Sequence, residues 1–556
     1  MTPATITVRC LNTGTDIAVE QGSALADLAA TLRDTLGFDP ICVRVNNKTE
    51  ALTYRIYNPK TIEMLPPTHD SGRRAYVRSL SMMLYCAIHR LYPGAKLKMM
   101  HSISRGYYCR AIGIDNNSDT VAAIRDEMLS LHRQNIPFVL HEAPTEDVIE
   151  IFRRQGLEDK VMLLGNIHQP YTKYYTLGDV ADSYYGCLAP STGHIGVFDL
   201  TPYKDGMLLR SLDPANPTTT PEPIVQDKMF EAFTNYLDFN HILGVSNVGE
   251  LNRAIADGHA RDLVNVAEAL HQKYIGAIAD EITRRRRQGG ARVILIAGPS
   301  SSGKTTTTKR LAIQLMTNLL RPVMISLDNY FVDRDHTPRD ADGDYDYESL
   351  YALDLETFNR DLSDLLAGKE VSLPTYDFAT GTRKYRGDKI SIARDGVLLI
   401  EGIHGLNPAL TPSIAEKDKF RVYVSALTTL TIDDHNWVPT TDNRLLRRIV
   451  RDYKYRSIGA ADTIRRWPSV RRGEEKWIFP FQENADATFN SSLLFELAVI
   501  RQYACEILSE VSCDTPEYAQ AYRLRKFLSY FSPIDNRTLP PTSLLREFLG
   551  GSSFHY

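Results

Sequence analysis

The chain has 556 residues, too many for one ordinary hydrophobic core, so three or four domains are expected. Hydrophobic residues at 43% beside charged residues at 24% argue against wholesale disorder, and a net charge of -4 leaves any nucleic-acid contact to local patches. Seven scattered cysteines with no C-x-x-C pair exclude a disulfide framework and a zinc module, and fit a reducing compartment.

Residues 1–65 read as a small α+β domain. "TITVRCL" and "ICVRVNN" are short apolar strands, and "SALADLAATLRDTLG" is an amphipathic helix ending at glycine. The start lacks the basic residues and apolar run of a signal peptide. No apolar run approaches the roughly 18 residues of a membrane span, so a soluble cytoplasmic protein with no membrane contact is expected. "MLPPTHDSGRR" supplies a boundary, and residues 75–210 form a second domain with helices at "SLSMMLYCAIHRLY" and "SDTVAAIRDEMLSLHRQ". Residues 211–290 are a connector, opening on the linker "DPANPTTTPEPIV" and ending in Arg284, Arg285, Arg286 and Arg287. That basic run reads as the solvated end of a helix, where cations suit the dipole.

From residue 291 the pattern becomes strand, glycine loop, helix. "ARVILIAG", "PVMISLDNYF", "GVLLIEGIHG" and "KFRVYVSAL" are branched apolar strands alternating with helices, which predicts a parallel sheet covered on both faces. Residues 291–489 are taken as this domain, and 490–556 as a helical extension ending in an extended wrap, "PIDNRTLPPTSLLREFLGG". The fold class is multidomain α/β.

Gly298-x-x-x-x-Gly303-Lys304-Thr305 is a complete P-loop, placed after a strand and opening a helix. Its glycines let backbone N–H groups turn onto phosphates, so Gly298, Ser300, Ser301, Ser302, Gly303, Lys304, Thr305 and Thr306 are the ATP-binding candidates. Lys304 supplies a mobile cation, and Thr305 is the hydroxyl candidate for Mg²⁺. The chain has no NKxD guanine-reading motif and no LSGGQ-type signature, which weakens the switch and transporter-motor readings. Asp328 and Glu401 end the strands "VMISL" and "GVLLI". Strand carboxyl ends line the ligand crevice of an open parallel sheet, so one acid can take a hydroxyl proton while the other serves Mg²⁺. Between Arg444 and Lys476 eleven Lys or Arg residues stand against four acids. Arg444, Arg447, Arg448 and Arg451 share one helical face, which suits a lid that neutralises a transferring phosphoryl group.

At these residues the chain resembles the uridine kinase and phosphoribulokinase family, uridine–cytidine kinases most closely, over about 291–475. "GPSSSGKTT" matches its P-loop, and "SLDNYF" makes Asp328 the counterpart of the catalytic base. "YDYESLYALD" resembles the ribose-holding acidic segment, implying Asp346, and "LPTYDFATGTRK" resembles the base pocket, implying Tyr376. "LLIEG" implies Glu401 as the Mg²⁺-side carboxylate. "RLLRRIVRDYKYR" is similar to the lid helix, with Arg448 on the sugar and Arg451 and Arg456 on the phosphates. Where pyrimidine nucleoside kinases carry a histidine after the tyrosine, this chain has about Gly381, and Tyr347-Glu348 replaces the usual His-Pro. A missing polar reader leaves base preference open.

The front half resembles threonyl-tRNA synthetases: a TGS module, ubiquitin-like, over 5–65 and an editing-type domain over about 75–205, on "AIHRLYPGAKLKMMHSISRGYYC" and "DVADSYYGCLAPSTGHIGVFDL". The editing pairs fall at about Met82 and Cys86 and near Tyr184 and Leu188, with every histidine gone, so a structural or ligand-sensing module is expected. Cys187 and His194 read as ordinary loop residues.

The function expected is an ATP- and Mg²⁺-dependent kinase acting on a nucleoside 5′-hydroxyl. Asp328, Lys304, Arg451 and Arg456 would be catalytic, Asp346, Tyr376 and Arg448 would bind substrate, and Thr305 with Glu401 would hold the metal. The expected partners are a nucleoside or similar small molecule, a small ligand or RNA at the front half, and further copies of the chain. The alternatives are an RNA- or signal-regulated NTPase, and a kinase of the same fold acting on a sugar phosphate or another alcohol.

Overall fold

The computed structural model describes residues 4–340, 342–378 and 380–556. Residues 1–3, at the start of the first expected domain, and residue 379, inside the expected base-pocket segment, lie outside the described residues.

The first sheet has five strands, ordered Thr15–Glu20, Thr5–Cys10, Lys60–Leu65, Cys42–Val45, Lys48–Glu50. Val8 and Cys10 are fully buried while Thr7 and Arg9 point out, the period-two pattern of a one-sided sheet. Helix Leu25–Leu36 lays Leu25, Leu28 and Ala29 on it and stops at Gly37, whose left-handed φ of 69° turns its N–H back to the Arg33 carbonyl.

The next helix runs over Asp70–Leu91, beginning ahead of the expected "SLSMMLY" start and the boundary at 75. His69 caps it, accepting the Ser71 N–H at 3.1 Å. Arginines 73, 74 and 78 hide its amphipathic period, yet Arg78 is buried and donates to the Cys187 carbonyl. Around this helix lie a four-stranded antiparallel sheet (Phe198–Tyr203, Gly206–Ser211, Gly106–Ile112, Lys96–Ile103) and a three-stranded one (Val180–Asp182, Tyr171–Leu177, Val139–Pro144). Ile41, Cys42 and Leu65 of the first unit belong to the same core as this helix, so the two front units share apolar packing.

Helices Asp227–Ile242, Val248–Ala256 and Ala260–Arg287 connect to the last unit. Its sheet has five strands, ordered Arg321–Ser326, Gly396–Glu401, Val293–Ala297, Lys419–Ser425, Ala487–Asn490, every pair parallel. Val293, Leu295, Leu398 and Ile400 enter the core on one face, and Ile294, Ile296, Val397 and Leu399 the core on the other. Alternation between two buried faces is what a near-continuous apolar run produces. The fifth strand, Ala487–Asn490, is short and rich in Thr and Asn and carries no apolar run that sequence periodicity detects.

Past Glu496 the helices Glu496–Ser509 and Tyr518–Leu528 pack on helices Thr440–Arg456 and Ala460–Trp477, and residues 529–556 run back toward the P-loop through the short helix Arg546–Leu549. Among the described residues, no helix is long and apolar enough to cross a membrane.

Candidate active site

The central strand Val293–Ala297 delivers the P-loop to the carboxyl edge of the sheet. Gly298 is obligatory there: a Cβ would stand 2.0 Å from the Val424 carbonyl oxygen. Gly303 turns the chain into helix Lys304–Thr317 with a left-handed φ of 83°, and no side chain of its own caps that helix. The N–H groups of Lys304 and Thr305 are thus left for an anion. Lys304 donates to the Pro299 carbonyl at 3.1 Å.

The four threonines divide. Thr305 donates to Glu401 Oε1 at 3.2 Å, so hydroxyl and carboxylate already converge. Thr307 and Thr308 bond back to the carbonyls of Gly303 and Lys304. Thr306 does neither: its N–H and hydroxyl both donate to Glu547 Oε2, at 3.2 and 2.6 Å, from 241 residues further along the chain.

Asp328 opens onto the cleft from the end of strand Arg321–Ser326. The surrounding protein raises its carboxyl above the ordinary value, while Lys304, Arg456 and Arg451 act to lower it. Glu401 is pushed up to about 7, by burial first and also by Asp328 and Glu547, against the opposing pull of Lys304. These shifts report one charge cluster of Lys304, two arginines and two strand-end acids. Thr305 and Glu401 offer hard oxygen donors, the chemistry Mg²⁺ takes beside phosphates. Burial raises the Glu401 carboxyl, and a cation beside it would offset that penalty. Among the described residues, no cluster of three or more His, Cys, Asp or Glu forms a metal cage.

The arginine face of helix Thr440–Arg456 splits in two. Arg444 and Arg447 are fully buried and are not lid residues. Arg444 pairs with Glu474 and donates to the Ser300 carbonyl at 2.9 Å. Arg447 pairs with Glu496 and donates to Ser491, whose hydroxyl bonds the Ser302 carbonyl. They hold the P-loop from behind, because the helix lies against it. Arg448, Arg451 and Arg456 converge instead on one buried carboxylate, Asp452, at 3.2, 3.0 and 3.4 Å. Three guanidiniums on one carboxylate leave an excess of positive charge beside the phosphate loop. Arg448 also donates to Ser300 Oγ at 2.8 Å, so it stands at the P-loop. Burial holds Arg456 down to about 10, with Arg451 beside it.

Tyr376 lies on strand Val371–Asp377, its ring 5.5 Å from Phe331 and 5.1 Å from Phe378. Its hydroxyl is buried without a hydrogen-bond partner. Phe331 follows Asp328 by three residues and also meets Tyr347, so an aromatic wall adjoins the base candidate. Asp346 is tied into that wall's loop, its N–H on the Pro338 carbonyl and its carboxylate on the Glu348 N–H. Gly381 adopts a left-handed φ of 71°, and a Cβ there would stand 2.7 Å from the Arg334 guanidinium. A histidine does not fit that position.

Residues 293–494 match the Phosphoribulokinase / Uridine kinase family. The kinase unit therefore has the P-loop phosphotransferase fold of that family, with the acceptor left undetermined by the match. Solved structures similar to the chain include a "Possible Uridine Kinase" from Bacillus stearothermophilus (22% identical, TM-score 0.25, covering 36% of this chain and 89% of that one). Another is D-glycerate 3-kinase from Cryptococcus neoformans var. grubii (14% identical, TM-score 0.22, covering 47% and 87%). The N-terminal part is similar to threonine–tRNA ligases: 28% identical over 185 residues to that of Clostridium kluyveri, 33% of this chain and 29% of the relative. For that of Clostridium tetani the figures are 27% over 192 residues, 34% and 30%. The chain spans under a third of the length of these relatives.

In the kinase unit, sequence reasoning missed Glu474, Glu547 and Asp452. Glu474 and Glu547 both accept P-loop N–H groups, from Ser300 at 3.1 Å and from Thr306 at 3.2 Å. No spacing links these acids to the loop. In the front half, Met82, Cys86, Tyr184 and Leu188 are all buried, and the His194 ring bonds Ser191 Oγ at 2.9 Å.

Proposed function

We propose that the chain transfers the γ-phosphate of ATP to a hydroxyl of a small acceptor, in the first instance a nucleoside 5′-hydroxyl. The observation that carries this reading is Asp328, open to the cleft among Lys304, Arg451 and Arg456. Asp328 takes the hydroxyl proton as the oxygen forms its bond to the γ-phosphorus, and ADP leaves with the electrons of the broken P–O bond. Lys304, Arg451 and Arg456 neutralise charge on the transferring group, and P-loop amides orient the phosphates. Mg²⁺, when bound by Thr305 and Glu401, supplies charge neutralisation to the phosphate oxygens.

The aromatic wall of Phe331, Tyr376 and Phe378 supports a planar-ring acceptor, and the free Tyr376 hydroxyl offers that ring a polar contact. Asp346 and Arg448 are assigned to the ribose. In this reading residues 291–489 carry the chemistry, while 1–65 and 75–210 serve sensing, by a small ligand or RNA. Assembly with further copies, and a cytoplasmic setting, belong to it as well.

A second reading keeps the reaction but takes a phosphorylated sugar or alcohol, and Arg334 beside Gly381 favours it by setting a cation on the acceptor rim. The test is a panel of nucleosides, sugars and sugar phosphates incubated with ATP, with products followed by mass. Phosphorylated nucleoside formed by the native chain and lost in Asp328→Asn supports the first reading. A sugar-phosphate product supports the second, and ADP formation that needs RNA but no acceptor overturns both.

A further inference from the structure

A cavity lies away from the P-loop, at the seam between the front half and the kinase unit. It measures about 230 Å³ and has walls from three places. The front half gives Leu163, Leu164 and Tyr184, the hairpin Thr431–Asp433/Asn436–Trp437 gives Ile432 and Asp433, and helix Tyr518–Leu528 with its exit gives Tyr522, Lys526 and Tyr530. The walls are mixed in character: tyrosine rings and aliphatic side chains, with lysines set among them.

The charges do not balance. Lys160, at the cavity wall, is fully satisfied by Asp182 at 2.8 Å and Asp433 at 2.9 Å. Lys526 lines the same space, and its ammonium forms no ion pair or hydrogen bond among the described residues. Its ammonium is held below the ordinary lysine value, by burial first and then by Arg78, Lys173 and Lys48. Lys173, also at the wall, stands opposite Glu142 in register without closing an ion pair. A half-buried cation ringed by other cations, with no carboxylate on it, is costly unless an anion completes the set.

We infer that this cavity binds a small organic anion, its carboxylate or phosphate on Lys526 and Lys173 and its body against the tyrosines. Such a volume holds several waters or one metabolite-sized molecule, and excludes a polymer. Half the anion contacts come from residues outside the synthetase-like part, so the site belongs to this arrangement of units. Occupancy would also reach the kinase unit. The hairpin that supplies Asp433 follows strand Lys419–Ser425, which pairs with the P-loop strand. Ile432 shares a core with Ile464, Trp467 and Val470 of the helix carrying Glu474.

The test is calorimetric titration of the full chain with succinate and, separately, inorganic phosphate, the two arms distinguishing carboxylate from phosphate chemistry. One equivalent, counted apart from any phosphate taken up by the P-loop, is expected to bind, to weaken at least tenfold in Lys526→Met, to recover in Lys526→Arg, and to persist in Lys304→Met. Lys526→Met should melt no lower than the native chain, because it removes an unpaired cation. Failure of both probes to bind, binding that survives Lys526→Met, binding lost in Lys304→Met, or a lower melting temperature in Lys526→Met would each overturn the assignment. None of these outcomes depends on the acceptor of the kinase unit.

Discussion

Two lysines in this molecule are each set between two acids, and they are used in opposite ways. Lys160 has no exposed side-chain surface and touches both Asp182 and Asp433, with His435 closing the far side of Asp182 at 2.8 Å. Lys304 sits at the mouth of a cleft, feels Asp328 and Glu401 only at longer range, and donates to a backbone carbonyl. The same charge set makes a strut when sealed and a tool when left open. Sealing raises each interaction and fixes it, whereas catalysis needs a cation still able to follow a moving charge.

That contrast can be broken by substitution. Asp328→Asn should lower kcat by about 10²–10⁴-fold while leaving the denaturation midpoint unchanged, since only a proton acceptor is lost. Steady-state kinetics beside a urea curve checks this, and a shifted midpoint would make Asp328 a strut as well. Lys160→Met should cost about 3–5 kcal/mol of stability, because it leaves Asp182 and Asp433 facing each other in a dry interior. Chemical denaturation reads it, and a loss under 1 kcal/mol would mean the cluster is wet.

Glu547→Ala removes a carboxylate from the Thr306 amide, a donor that the proposed ATP site would use. ATP should then bind roughly tenfold more tightly, about 1.4 kcal/mol. Fluorescence titration measures it; unchanged or weaker affinity would show that Glu547 helps rather than competes. The pH dependence should carry opposite signs in the two regions. Glu401 and Glu348 are raised to about 7, chiefly by burial, so the folded state holds their protons more tightly than the unfolded chain. Their contribution is full below about 4.5, the unfolded carboxyl value, and is lost as pH rises through 7. Asp182 is depressed below the usual carboxylate range by Lys160 and His435 despite its burial, so its contribution is present above about 4 and lost on acidification. Melting curves from pH 2 to 8 with Glu401→Gln separate the two, and an unchanged slope above pH 4.5 would remove Glu401 from the account. The smallest effect is expected at Gly381→Ala, about 1–2 kcal/mol of stability from the left-handed φ and the crowding of the new Cβ against Arg334, read by urea denaturation.

Sequence revealed what is local. The P-loop is one contiguous motif, and Asp328 and Glu401 were legible because each ends an apolar strand run. The arginine face was legible as a face but not in its division, since four guanidiniums at helical spacing do not say which side meets the loop. Arg444 and Arg447 became buried props because Glu474 and Glu496 arrive from other elements to pair them. Asp452 was hidden by the basic excess around it, and its role as the arginines' common anchor needs three-dimensional convergence. Glu547 and the fifth strand were out of reach for a similar reason: their partners are long-range and their own segments lack periodicity.

The run of chain that brings Glu547 to the loop does not stop there. The Tyr556 hydroxyl lies 2.9 Å from Thr306 Oγ1, and Lys309 donates to the His555 carbonyl. Whatever is joined after Tyr556, by nature or by cloning, begins its course against the P-loop helix. An affinity handle placed there would be mounted beside the P-loop, the proposed nucleotide doorway, and would distort the quantity it was added to help measure. A handle placed ahead of residue 4, on the far unit, leaves that doorway as the sequence built it.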